Sequence, residues 1–139
     1  MTKVDFYLLS ATGFLEEVKA IGRLSEKAIS KGNKVFINVC DQDQAIKMNL
    51  ALWSFKPEGF VPHGLASEGL TEQILIGWGE IPQELDDVMI NLSENIPNCF
   101  SRFNRLIELV APHTDARFKA RGSWRFYRDR GYELSKYDL

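Results

Sequence analysis

Apolar residues recur along the 139-residue chain in two alternating rhythms. Val4-Asp-Phe-Tyr-Leu-Leu9 is a short β-branched, aromatic and aliphatic run of the kind that forms a buried strand. Phe14, Leu15, Val18, Ile21, Leu24, Ala28 and Ile29 then repeat at helical spacing as far as Lys31, and Gly32 stands where a left-handed C-cap is wanted. Lys34-Val-Phe-Ile-Asn-Val39 predicts a second strand. Asp41 predicts the N-cap of a helix running through Ala45, Met48, Leu52 and Trp53. Gln73–Trp78, Asp87–Leu92 and Arg105–Val110 read as further strands, with a short helix near Asn98–Asn104. A basic helix from Thr114 to Arg130, stopped by Gly131, closes the chain.

Strands alternating with helices predict an α/β domain: one Rossmann-like unit over residues 1–139, with a mostly parallel central sheet flanked by helices. The sequence shows no linker, repeat or low-complexity segment. Composition agrees, at 45% apolar and 26% charged, with no apolar run near the roughly eighteen residues of a membrane helix. Without a signal-peptide pattern at the start, the expected location is the cytoplasm. There Cys40 and Cys99, far apart in sequence, are expected as buried thiols with no disulfide.

Charge changes the picture. Residues 1–116 hold ten basic against sixteen acidic side chains, while residues 117–139 hold seven against three. A basic element on an acidic body predicts one local anionic partner and not general adhesion to nucleic acid.

The doubly wound pattern invites a nucleotide hypothesis, yet Leu9-Ser-Ala-Thr-Gly13 has one glycine, and neither G-x-G-x-x-G nor a G-x-x-x-x-G-K-[ST] loop occurs. His63 and His113 sit in no metal-ligand spacing, and Ser67 near His63 makes a weak case for a triad. No cofactor or metal is expected. The segment 55–69 draws attention through Pro57, Pro62, Gly59, Gly64 and Gly69, which shape the backbone, and Trp53, Phe55, Phe60, Val61 and Leu65, which supply apolar area. Two readings stand for it: core aromatics, or a rigid surface preordered for docking another protein. His63 is read as fixing this loop through hydrogen bonds, with a nucleotide-directed enzyme using His63 and Glu68 as a rival.

The last helix is more specific. Arg117, Arg121, Trp124 and Arg128 follow at i, i+4, i+7 and i+11 and share one face. A solvated face is the ordinary reading of a basic helix. A Trp among arginines instead offers an apolar wall and forked donors suited to a carboxylate. Val110, at the carboxyl end of a strand, is placed to floor the same pocket. The matching ligand is an acidic peptide with an aromatic end. The competing reading is a direct binder of single-stranded nucleic acid, stacking bases on Trp124.

Phe6-Tyr-Leu-Leu9, Asp41 with Gln44-Ala45, Ala51-Leu-Trp53, Phe60-Val-Pro-His63, Leu65-Ala66, Glu68-Gly69, Ile90-Asn-Leu92 and Tyr127-Arg-Asp-Arg-Gly-Tyr132, taken together and in this order, resemble the chi subunit of bacterial DNA polymerase III. That resemblance implies a non-catalytic clamp-loader accessory protein with a Rossmann-like fold. It implies two partners: the psi subunit, docking around Trp53 and Phe60, and the acidic C-terminal tail of single-stranded DNA-binding protein (SSB), which ends in proline and phenylalanine. By the same resemblance, Arg121 holds the tail's carboxylate, Val110 and Trp124 line the phenylalanine pocket, and Arg117 meets upstream aspartates. Arg128 is added from helix geometry. Trp124 stands where relatives can carry Tyr, and Arg117 where they can carry Lys. Neither membrane nor specific nucleic-acid binding is expected.

Overall fold

The apolar runs become strands because both of their faces are covered, which removes the polar alternation of a half-exposed sheet. The structure is a computed structural model that describes residues 1–55 and 63–139. Its strands are β1 (Lys3–Leu8), β2 (Val35–Asn38), β3 (His63–Leu65), β4 (Ile74–Gly77), β5 (Val88–Asn91), β6 (Arg105–Val110) and β7 (Glu133–Asp138). They form one seven-stranded sheet in the order β3-β4-β2-β5-β6-β1-β7, and every pairing is parallel. Three helices flank it: α1 (Phe14–Ser30), α2 (Gln42–Phe55) and α3 (Thr114–Asp129).

Successive side chains of each strand feed opposite cores. Tyr7, Ile37, Ile76, Ile90 and Ile107 pack with Val18, Ile21 and Leu24 of α1 and Ala45, Met48 and Leu52 of α2. Phe6, Phe36, Leu75, Met89 and Leu106 point the other way, onto Tyr127 and Trp124 of α3 and onto Phe100 and Phe103. At Gly77 the second core leaves no room for a side chain, since a Cβ would meet the Phe36 ring at 2.9 Å. Asp41 Oδ1 accepts from the Gln44 amide at 2.9 Å and caps α2 as expected. Gly32 ends α1 at φ +85°, donating to the Ile29 carbonyl at 2.9 Å.

β1 leads into α1 on one face, and its neighbour β6 leads into α3 on the other. The carboxyl ends of these two strands therefore form a topological switch point, the place where an open α/β sheet offers a crevice.

Several expectations are corrected. The chain does not end with the basic helix. β7 follows it, pairs along all of β1, stacks Tyr137 on Tyr7 at 4.9 Å and sends Leu134 into the second core. Glu133, Lys136 and Asp138 break its apolar pattern, as charge commonly does on an edge strand. β3, only three residues long, lies inside the segment read as a loop. The short helix near 98–104 is a single 3-10 turn, Phe100–Arg102. Cys40 is exposed and Cys99 half-buried, not buried as expected, because Cys40 falls in the link between β2 and α2. Phe60 lies outside the described residues.

Candidate functional site

At the switch point, α3 and the sheet enclose an open groove of about 620 Å³. Its floor is Phe6 and Leu8 of β1 and Val110 of β6, and Trp124 forms its apolar wall with a ring centroid 5.2 Å from that of Phe6. Arg117, Arg121, Arg125 and Arg128 line it from α3, and Lys136 from β7. Among the described residues no carboxylate lines it. Among the described residues the guanidinium groups of Arg117, Arg121 and Arg125 make no ion pair or hydrogen bond, whereas Arg128 reaches Asp129 at 3.1 Å. Of the sequence-predicted residues, Val110, Arg117, Arg121 and Trp124 line this one groove, and Arg128 lines it while held by Asp129.

The helix is held to this position by a buried polar network. Tyr127 Oη donates to Glu108 Oε2 at 2.7 Å, and Asn91 Nδ2 donates to Glu108 Oε1 at 3.0 Å. Asn38 Nδ2 in turn donates to Asn91 Oδ1 at 3.1 Å, so the chain of bonds crosses from α3 through β6 and β5 to β2. Burial pushes the Glu108 carboxyl up to about 7 against the pull of its two donors. Burial, and then the carboxylate beside it, pushes the Tyr127 phenol upward and keeps it a donor. Phe100 meets Tyr127 edge-on at 5.2 Å, so the turn that presents Trp124 is fixed on both sides. At the helix start, His113 Nδ1 accepts from the Ala116 amide at 3.2 Å, a capping role.

Sequence reasoning missed Phe6, Leu8, Arg125 and Lys136. Arg125 was within reach, at i+4 from Arg121. Lys136 was not, because it belongs to the unread strand. Phe6 and Leu8 gave only a strand signal, and their face is set by the register with β6.

The second predicted surface lies across the sheet. Trp53 on α2 is 49% exposed, and with exposed Ile46 and Leu50 it makes an apolar stripe at i, i+4 and i+7. His63 is buried, its Nε2 2.9 Å from the Asn49 carbonyl and its ring 4.5 Å from Trp53. It fixes the junction of β3 and α2, as the hydrogen-bonding reading expected. The link into α1 presents Gly13 followed by Glu16 and Glu17 in the first turn, carboxylates that oppose a phosphate there. Among the described residues no helix is long and apolar enough to cross a membrane.

The whole chain also matches a known protein family. The family model described as "DNA polymerase III chi subunit, HolC" matches residues 1–135. The chain is 37% identical over 139 residues to the DNA polymerase III subunit chi of Pseudomonas aeruginosa, covering 100% of this chain and 98% of that protein. It is 29% identical over 134 residues to the subunit chi of Haemophilus influenzae, covering 94% and 93%. With that of Escherichia coli it shares 28% over 145 positions, covering 97% of each.

Proposed function

The chain belongs to the DNA polymerase III chi-subunit family, and from that premise we propose that it is a non-catalytic adaptor that captures the acidic C-terminal tail of SSB. The observation that carries this reading is an apolar floor ringed, among the described residues, by five cationic side chains and no carboxylate. A terminal aromatic side chain buries against Phe6, Val110 and Trp124. Arg121 takes the terminal carboxylate with forked donors, which offsets the several kcal/mol that an unpaired buried carboxylate costs. Arg117 and Arg125 meet upstream aspartates and act mainly on encounter rate, an effect that salt weakens. Arg128 joins them by exchanging Asp129 for the ligand.

The stripe of Ile46, Leu50 and Trp53 on the opposite face is the docking surface for the psi subunit, together with Phe60. Two separate surfaces on opposite sides of one rigid sheet let a single small protein hold both partners at once. A tail of this kind binds with a dissociation constant on the order of micromolar, about −8 kcal/mol, and several tails on one SSB oligomer raise the effective affinity.

Calorimetric titration of the organism's own SSB tail peptide tests this reading on wild type and Arg121→Ala. Saturable binding that the substitution abolishes in a folded protein is the expected result. No binding by folded wild type overturns it, and tight, steeply salt-dependent binding of bare single-stranded DNA would replace it with the nucleic-acid reading.

A further inference from the structure

The groove has two walls of different origin. Four arginines line it from α3, while from the sheet, among the described residues, Lys136 alone brings it a cation. Strand register fixes where. Leu8 stands opposite Val110, and Phe6, two residues lower on β1, stands opposite Lys136 on β7. Lys136 therefore shares a face with Phe6, about 4.8 Å away across the strands, and is level with Trp124, whose ring lies 5.2 Å from that of Phe6. α3 joins β6 to β7, and both strands run parallel to β1, so the helix runs back against them. Arg121 thus stands towards the Leu8–Val110 end of the groove, and Arg125 towards Lys136. Lys136 is exposed and makes no ion pair or hydrogen bond among the described residues. A charge on an edge strand discourages stray pairing, but a glutamate would serve that purpose equally and would pair with the arginines. A lysine adds to their mutual repulsion and keeps the space for an anion.

We propose that Lys136 holds a ligand carboxylate from the sheet side, across the groove from Arg125, and so selects an acidic residue two or three positions before the ligand's terminal residue. This rests on the reading of the groove as a peptide-carboxylate site. With the terminal residue between Arg121 and the Leu8–Val110 end, the level of Lys136 lies two strand residues lower, about 7 Å. An extended ligand covers that in about two residues at roughly 3.3 Å each, and the flexible lysine stem extends the reach to a third. A side-chain carboxylate at that level meets the forked guanidinium of Arg125 on one side and the ammonium of Lys136 on the other. The ligand then lies lengthwise between α3 and β7.

The probes are two synthetic peptides of equal charge, acetyl-Asn-Asn-Asp-Asp-Pro-Phe, with its aspartates near the terminal residue, and acetyl-Asp-Asp-Asn-Asn-Pro-Phe, with them further away. Calorimetric titration at fixed salt compares wild type with Lys136→Gln and Lys136→Arg, and circular dichroism and melting profiles check that the variants fold. Lys136→Gln should weaken the near isomer by about 3- to 5-fold, on the scale of a partly exposed ion pair, and leave the far isomer unchanged. Lys136→Arg should keep the wild-type preference. An equal loss for both isomers overturns the proposal and makes Lys136 one contributor to a general positive field. No loss for either isomer also overturns it and leaves Lys136 a guard of the sheet edge, while a loss confined to the far isomer would reverse the ligand's course. If wild type binds neither isomer, the carboxylate reading itself has failed, and the role of Lys136 falls with it.

Discussion

Replacing Glu108 with Gln should make the protein more stable at pH 8 while leaving it nearly unchanged at pH 4.5. Glu108 is almost fully buried, and its carboxyl is raised from 4.5 to about 7 because burial outweighs the donors Tyr127 and Asn91. The folded state therefore holds a proton that the unfolded chain releases above its own lower pKa. Stability from this group is complete below about 4.5, declines as pH rises through the window to about 7, and is flat beyond it. At about 1.4 kcal/mol per unit, the loss approaches about 3 kcal/mol. A neutral amide cannot ionise, and the Tyr127 hydroxyl can rotate to donate or accept beside it. Urea unfolding of both proteins at half-unit steps from pH 4.5 to 8.5 reads the difference directly, since titration of every other group is common to the two. The difference should grow by about 3 kcal/mol in favour of Gln. A difference that stays constant across the range would refute the reasoning, showing that the two donors fully compensate the buried charge.

Three further outcomes follow from other parts of the molecule. Asp5 is buried in β1 with Arg105 Nε 3.2 Å from Oδ2, and burial raises its carboxyl even though Arg105 opposes the shift. Arg105→Met should therefore cost about 3 kcal/mol in urea unfolding at pH 7, and Asp5→Asn in the same chain should restore most of it; additive losses would contradict the pairing. Gly122→Ala, with open space at its Cβ, should gain about 1 kcal/mol and raise Tm by about 3 °C; a lower Tm would mean that the glycine serves the fold. Trp124→Ala should weaken tail-peptide binding more than 10-fold, on the scale of losing a buried aromatic contact, with the loss unchanged by added salt; a loss that high salt removes would make Trp124 a bystander to the arginines.

The fold was legible where one physical cause dominated. β6 was found at its observed bounds because its apolar residues lie between polar Asn104 and a Pro-containing link, and α3 because its basic stripe and Gly131 mark face and end. β7 was not, because an edge strand needs only one pairing edge and one half-covered face, so Leu134 and Tyr137 suffice among charges. The same omission hid Lys136. Trp124, Arg117 and Arg121 were recoverable from helix periodicity alone. The floor was not, since Phe6 and Leu8 face α3 only once β1 is registered against β6, Leu8 opposite Val110. Cys40 was misplaced for another reason: an unpaired thiol is ordinarily buried, whereas this one falls in the exposed link between β2 and α2.

The central claim is that the groove reads a C-terminal carboxylate attached to an aromatic residue. The most direct measurement is a calorimetric comparison of the SSB tail peptide as free acid and as C-terminal amide, on wild type at fixed salt. The account predicts that the amide binds at least 10-fold more weakly, because Arg121 then faces a neutral group. Equal affinity for acid and amide would contradict it, leaving the upstream aspartates as the recognised feature.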